Sequence, residues 1–300
     1  RCLLISCVAG FIVLAAAIVF STAIVVSLYY VVSTIRAQDL ARAEATVEAL
    51  VSNEVARTNA FLGEYAATAN SVARMAEAML TDPLVSHEVY AEMVGKQLAS
   101  LPAALGVHIA FTPESGLYQR PGLAGSPFVM TGNYVGVYAA RGADGISITS
   151  MDGGEGFDWL TESLARDALE ITGPENYSGV LYTTFTNIIR DASGKGIGQS
   201  GVSFDATRLA AEIGASKPMG TGFMGVINQD GVWVVNPDPA VVGQPVSESW
   251  AVDALAGLAG QDMVRSSGEV GGEIWNMTAA SARLVGTDQR WTVIVAVQQS

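Results

Sequence analysis

Between Arg1 and Arg36 the chain carries no charged residue. The stretch CLLISCVAGFIVLAAAIVFSTAIVVSLYYVVSTI is 34 residues long, and about 20 apolar helical residues suffice to cross a bilayer. The apolar part of a secretory signal runs to about 7–15 residues before a small-residue cleavage site, so this run is too long for that reading. A transmembrane helix is expected over 1–35, with Tyr29 and Tyr30 at the level where aromatic side chains meet the membrane interface. Arg36 and Arg42 follow the span, but one flank alone does not orient it by the positive-inside rule. Both cysteines, Cys2 and Cys7, lie inside this run. Nothing downstream can therefore build a disulfide framework or a cysteine metal site.

After Arg36 the apolar residues Leu40, Val47, Leu50, Phe61, Leu62, Tyr65, Val72, Met75 and Met79 recur at helical spacing. Asp82-Pro83 is a natural stop, because the residue before proline disfavours the helical region. A second helix is expected over 86–100, ahead of Pro102. Together these give a helical stalk over 36–101. Its methionine and aromatic stripe reads as packing surface.

Beyond Pro102 the texture changes to short apolar runs broken by Gly, Asp and Pro, the pattern of strands and turns. GVHIAF, then TPESG, then LYQRPGLAG reads as strand, turn and second strand. GFMGVI, NQDG and VWVVNPDPAVVG repeat that order later. The echo suggests two related α+β modules, over 102–215 and 216–300. Between the hairpins, FDWLTESLARDALEI reads as a helix with Leu160, Leu164, Ala168 and Ile171 on one face and Asp158 as its cap. VLYTTFTNII and IGQSGVSF read as strands, followed by a helix capped by Asp205 through Leu209 and Ile213. RWTVIVAVQQS reads as the last strand.

Gly196, Gly198 and Gly201 match G-x-G-x-x-G, the spacing of a dinucleotide-binding loop. Such a loop must leave a strand and open a helix directly, so that the helix N-terminus faces the phosphates. Here the glycines open a run that stays extended through Val202, Ser203 and Phe204. They read instead as turn geometry and close backbone approach, and no cofactor is expected. The net charge of −13 and pI of about 4.5 argue against a nucleic-acid partner, since an acidic surface repels phosphates. The three lysines, Lys96, Lys195 and Lys217, form no cluster.

The two histidines, His87 and His108, have no second ligand at metal-binding spacing, and no nucleophile elbow accompanies them. No metal site or catalytic residue is expected. Asp152, Glu155 and Asp158 form an acidic group in a Gly-rich loop, read as a solvated loop leading to the helix cap. Trp159 beside that cap either packs in the core or walls a pocket. Asn176-Tyr177-Ser178 and Asn276-Met277-Thr278 match the glycosylation triplet and carry no weight alone.

The order of membrane helix, long helix, distal α+β module and proximal α+β module resembles the double Cache sensor domains of bacterial methyl-accepting chemotaxis proteins. GTGFMGVINQDGVWVVNPDPAVVGQPV is similar to that family's proximal-module signature of strand, Asp-Gly turn, strand, Asn-Pro and a later glycine. The resemblance implies an α+β fold with two PAS-like mixed modules and a periplasmic sensor that is not an enzyme. It also implies a homodimer through the long helix and a small-molecule ligand in the distal module. The family's amino-acid-binding subgroup carries Arg-x-Trp-Tyr where this chain has Phe157-Asp158-Trp159-Leu160. It then carries Pro-Tyr-x-Asp where this chain has Pro174-Glu175-Asn176-Tyr177, and a later aspartate falls near Ser203. The tryptophan and the proline match, but the groups that grip the carboxylate and amine are largely missing, so an α-amino acid is not the ligand the comparison implies. The remaining candidates, Trp159, Glu175, Tyr177, Tyr182, Asp158, Tyr134 and Tyr138, are aromatic and acidic, with Ser203 beside them. Such a wall suits a cation or amine. The same sensor could serve a histidine kinase or a cyclic-dinucleotide cyclase. A membrane-anchored hydrolase using Asp152, Glu155 or Glu175 is the reading from another class.

Overall fold

A computed structural model describes residues 2–151, 156–177, 180–284 and 286–298, with backbone alone at 2–17, 176, 177 and 212. Asp152, Glu155 and Ser178 lie outside the described residues. The chain opens with helix α1 (Cys2–Met79), followed by α2 (His87–Ser100). By contacts it divides into two units, 1–49 and 50–300. Among the described residues α1 is the one helix long and apolar enough to cross a bilayer; the most apolar 18-residue window of its Ile18–Met79 part averages 2.0 in hydropathy.

The first sheet is built from β1 (Ala104–Phe111), β2 (Val135–Gly142) and β3 (Gly145–Ser150), then, after helix α3 (Asp158–Arg166), β4 (Glu170–Tyr177), β5 (Val180–Arg190) and β6 (Gly196–Asp205). Its strand order is β3-β2-β1-β6-β5-β4, and all its pairs are antiparallel. Helix α4 (Ala206–Gly214) leads to the second sheet, made of β7 (Phe223–Ile227) and β8 (Trp233–Val235), then, after helix α5 (Ser249–Gly257), β9 (Met263–Val270), β10 (Glu273–Arg283) and β11 (Arg290–Gln298). That sheet runs β8-β7-β11-β10-β9. Its core gathers Trp233, Trp250, Phe223, Met277 and Ile294. The N-cap of α4 is Asp205, whose Oδ1 accepts from the Thr207 N–H at 2.8 Å.

Strand alternation gives the first sheet two unlike faces. Val107, Ile109, Phe111, Val137, Ala139, Phe185, Val202 and Phe204 are buried on one side. The Leu50–Met79 part of α1 and α2 cover that side. Tyr65 meets Phe204 with ring centroids 4.7 Å apart, Ser200 Oγ donates to the Ala69 carbonyl at 2.7 Å, and Tyr90 packs edge-on to Phe111. The helix meets the sheet through Ala66, Ala69, Ala73 and Ala76, all buried. These are small side chains, which a reading of large apolar residues passes over. Leu40, part of the expected stripe, is exposed. Arg141 fixes the C-terminal end of α2, donating to the carbonyls of Leu98, Leu101 and Ala104.

Three local expectations are corrected. Leu117–Gln119 forms a short 3-10 turn rather than a strand, and the hairpin partner of β1 is β2, about twenty residues later. The later echo does form a tight hairpin of β7 and β8. Helix α3 ends at Arg166, because Asp167 takes a left-handed conformation at φ 53°; Ala168 and Ile171 lie beyond it. Asp158 is the first residue inside α3, not its cap, which is Phe157. Its carboxylate there favours the positive end of the helix dipole.

The glycine motif lies wholly inside β6, a central strand flanked by β1 and β5. A Cβ on Gly198 would come to 2.5 Å from the Ala110 carbonyl oxygen, and one on Gly201 would fall within the His108 ring. The glycines therefore serve close approach across the sheet. The Gly201→Ala variant is expected to lose about 1–3 kcal/mol of stability through overpacking, measured by urea denaturation. An unchanged midpoint would refute the role given to Gly201.

Candidate functional site

The other face of the first sheet is polar and is roofed by α3. In register along neighbouring strands stand Tyr138 on β2, His108 on β1, Gly201 on β6, Thr186 on β5 and Glu170 on β4. The row beside it carries Ser203 and Thr184, whose hydroxyls are 2.9 Å apart, and Gln199 lies on the opposite side of Gly201. The alternating polar residues of β5, Tyr182, Thr184 and Thr186, belong to this face. Phe185 between them belongs to the apolar one.

Contacts at both ends of α3 hold it against the sheet. At its start, Phe157 stacks on Tyr134 at 4.0 Å, and Trp159 stands edge-on to His108 at 5.9 Å. At its end, Arg166 Nε and Nη2 donate to the two Glu170 carboxylate oxygens at 2.6 and 2.9 Å. Asp167 pairs with Arg190 at 2.7 Å. The bidentate pair fixes orientation as well as distance, so the end of α3 is tied to the start of β4.

Four buried polar atoms under this roof have no hydrogen-bond partner within the protein: His108 Nε2, Thr186 Oγ1, Gln199 Oε1 and, from α3 itself, Ser163 Oγ. Their residues are only 6, 4, 2 and 2% exposed. Leaving one such group open costs about 1–3 kcal/mol, against a total stability of about 5–15 kcal/mol for a domain. Four on one roofed face call for partners from outside the protein, water or a small molecule. Tyr138 flanks His108 on the side away from Gly201, with ring centroids 6.5 Å apart.

The sequence-derived candidates divide. Trp159, Tyr138 and Ser203 come together on the roofed face, and Tyr134 anchors its edge through Phe157. Tyr182 lies two residues from Thr184 along β5. Its hydroxyl donates to the exposed Glu175 at 3.1 Å. Tyr177 pairs with Val180 at the end of β4, described by its backbone. Asp158 is exposed on the first turn of α3. His108, Thr186, Gln199, Thr184 and Ser163 were not singled out from sequence as ligand contacts. A histidine in an apolar strand, and the alternation of polar residues in LYTTFTN, were the available signals. Among the described residues no group of three or more His, Cys, Asp and Glu side chains is placed to hold a metal.

The two modules meet along β4. Gln289 Oε1 accepts from the Ile171 N–H at 2.6 Å, and Gln289 Nε2 donates to the Ile171 carbonyl at 3.1 Å. Gln229 Nε2 donates to the same carbonyl at 3.3 Å, while its oxygen accepts from the indole of Trp291 at 2.8 Å. Asn228 Nδ2 donates to the Gly173 carbonyl at 2.6 Å. Side-chain amides of the second module thus pair the edge strand of the first, as a neighbouring strand would.

Similar solved structures share this architecture. The structure of "Methyl-accepting Chemotaxis protein X" aligns at a TM-score of 0.67 with 19% identity, over 86% of this chain and 96% of that one. The chain has the double Cache fold. The extracellular domain of a protein described as a histidine kinase, mmHK1S-Z3, aligns at 0.71 with 16% identity, over 86% and 94% of the two chains. The ligand-binding domain of the Pseudomonas aeruginosa PAO1 amino acid chemoreceptor PctC, in complex with GABA, aligns at 0.58 with 16% identity, over 85% and 99%. No family model and no curated protein matches the sequence. Within this double Cache fold the roofed polar face belongs to the first module.

Burial pushes the His108 imidazole down to about 4 from its ordinary 6.5. Between these values the unfolded chain takes up a proton that the folded chain refuses. Stability from this group is therefore full above about 6.5 and declines as pH falls toward about 4. The decline amounts to about 3 kcal/mol. The His108→Gln variant is expected to show a flatter loss of stability over that window, read from urea denaturation at successive pH values. Parallel pH profiles would contradict a buried neutral His108.

Proposed function

We propose that the chain is the extracytoplasmic small-molecule sensor of a transmembrane receptor, with residues after about 36 in the periplasm and the ligand held by the first module. The observation that carries this reading is the roofed polar face with four unpaired buried atoms. The double Cache fold and the long apolar helix support it. The similar structures include chemoreceptor and histidine kinase domains, and the sensing role is common to both.

A ligand shifts a receptor only by binding one state better than another. Here a molecule bonded to Thr186 or Ser163 acts on β5 and α3. The Arg166–Glu170 pair carries any movement of α3 to β4. Gln289 and Gln229 carry it from Ile171 to Trp291 on β11. Coupling of this kind amounts to about 1–3 kcal/mol.

The full chain in lipid nanodiscs, screened by thermal shift, is expected to yield a ligand that raises the melting temperature. At one hundred times Kd the gain is about 2.7 kcal/mol. Trp159→Ala should abolish that gain. Gln289→Ala should keep the affinity within a few-fold but remove the ligand-dependent change in hydrogen exchange along β11. Ligand binding that survives Trp159→Ala would move the site elsewhere.

We also propose that the receptor is a homodimer through the helix over 36–81. Light scattering of the full chain in detergent should give a protein mass of twice 31.2 kDa; a monomer at high concentration would refute it.

A further inference from the structure

The atoms waiting under α3 are uncharged. Gln199 Oε1 is an acceptor and needs an N–H or O–H from its partner. Thr186 and Ser163 hydroxyls donate or accept, and a neutral imidazole offers one of each. Rings lie on the same face: Trp159 packs edge-on against His108, and Tyr138 stands on another side of it.

The charged groups nearby are already committed. Glu170, the buried carboxylate of this face, takes both donors of Arg166, and Arg166 is thereby occupied as well. Arg190 pairs with Asp167 and donates to the Gly194 carbonyl. Arg141 turns to the other face, onto the carbonyls that end α2. Asp158 and Glu175 are exposed. Asp205, on the same face at the end of β6, is held by the N–H and hydroxyl of Thr207. A unit charge buried beside His108 and Thr186 would have to compete for a group already bonded, and an unpaired buried charge is far more costly than an unpaired amide.

We infer that the site takes an uncharged ring-shaped small molecule bearing both hydrogen-bond donors and acceptors, rather than an amino acid, an amine or a carboxylate. This rests on the sensor reading above and names the chemistry of its ligand. It replaces the cationic ligand that the aromatic and acidic residues suggested from sequence, because Glu175 and Asp158 stand outside the roof. The aromatic edges exclude water from the ring faces while the four polar atoms set its orientation.

The test uses the full chain in nanodiscs, with calorimetry against four probe classes. Uracil, nicotinamide and myo-inositol are the uncharged rings; GABA and L-isoleucine are zwitterions; choline and putrescine are cations; malate is the anion. At least one uncharged ring is expected to bind, with an affinity that changes less than two-fold when salt rises from about 0.05 to about 0.5 M, since no ion pair forms. Thr186→Val and Gln199→Leu should each weaken that binding at least ten-fold. Both should raise the melting temperature of the ligand-free protein, because each removes an unpaired buried atom. A merely damaged fold would lower it. Binding by a zwitterion, cation or anion that Trp159→Ala abolishes, with the rings silent, overturns the ligand class and leaves the sensor reading intact. Silence from all four classes overturns both. Ring binding unaffected by either variant overturns the placement under α3.

Discussion

A six-stranded sheet that must satisfy two different environments governs the first module. One face is dry because α1 and α2 lie on it through alanines and aromatic rings. Since that burial holds the sheet, the other face is released from packing duty and carries His108, Thr184, Thr186, Gln199 and Ser203. A sheet with a core on both sides could not keep so many polar atoms there. The absence of side chains at Gly198 and Gly201 makes the arrangement possible: the first admits the Ala110 carbonyl and the Phe111 ring, the second gives the His108 imidazole a place to lie.

The roof follows from this division. Helix α3 has nine residues and few buried contacts of its own, so its position is set at its ends. The stacked rings of Phe157 and Tyr134 hold its start. The Arg166–Glu170 pair is directional. A helix tied at its two ends can respond to what lies beneath it, and its C-terminal end leads into the strand that the second module grips. Gln289 and Gln229 pair both polar groups of Ile171, and an edge strand paired in this way cannot shift without the second module registering it.

Much of this architecture was legible from residues alone. The uncharged run before Arg36 predicts a helix long and apolar enough to cross a bilayer, and α1 is one. Asp82-Pro83 stops the first helix, Asp205 caps α4, and the β7–β8 hairpin follows from the Asp-Gly turn between apolar runs. The glycine motif could be excluded as a nucleotide loop because the chain stays extended after it. Where sequence reading went astray, long-range pairing outweighed local pattern. LYQ looked like a strand, but β1 took its partner from about twenty residues on. LARDALEI looked helical to its end, but Asp167 turned left-handed and freed β4 to pair with β5.

The candidate site was legible in part for the same reason. Trp159, Tyr138 and Ser203 converge, whereas Glu175 and Tyr182 pair with each other at the sheet's exposed end, and His108 gains its place only from the register of three strands. The sequence by itself determined a long apolar helix, a mixed αβ body in two parts and a chain that reads as a binder, because charge, periodicity and turn chemistry act over a few residues. The tertiary structure alone decided which face of the sheet is roofed, which carboxylates are neutralised there and which polar atoms are left waiting. Those depend on strand register and helix docking, which bring together residues nearly a hundred positions apart.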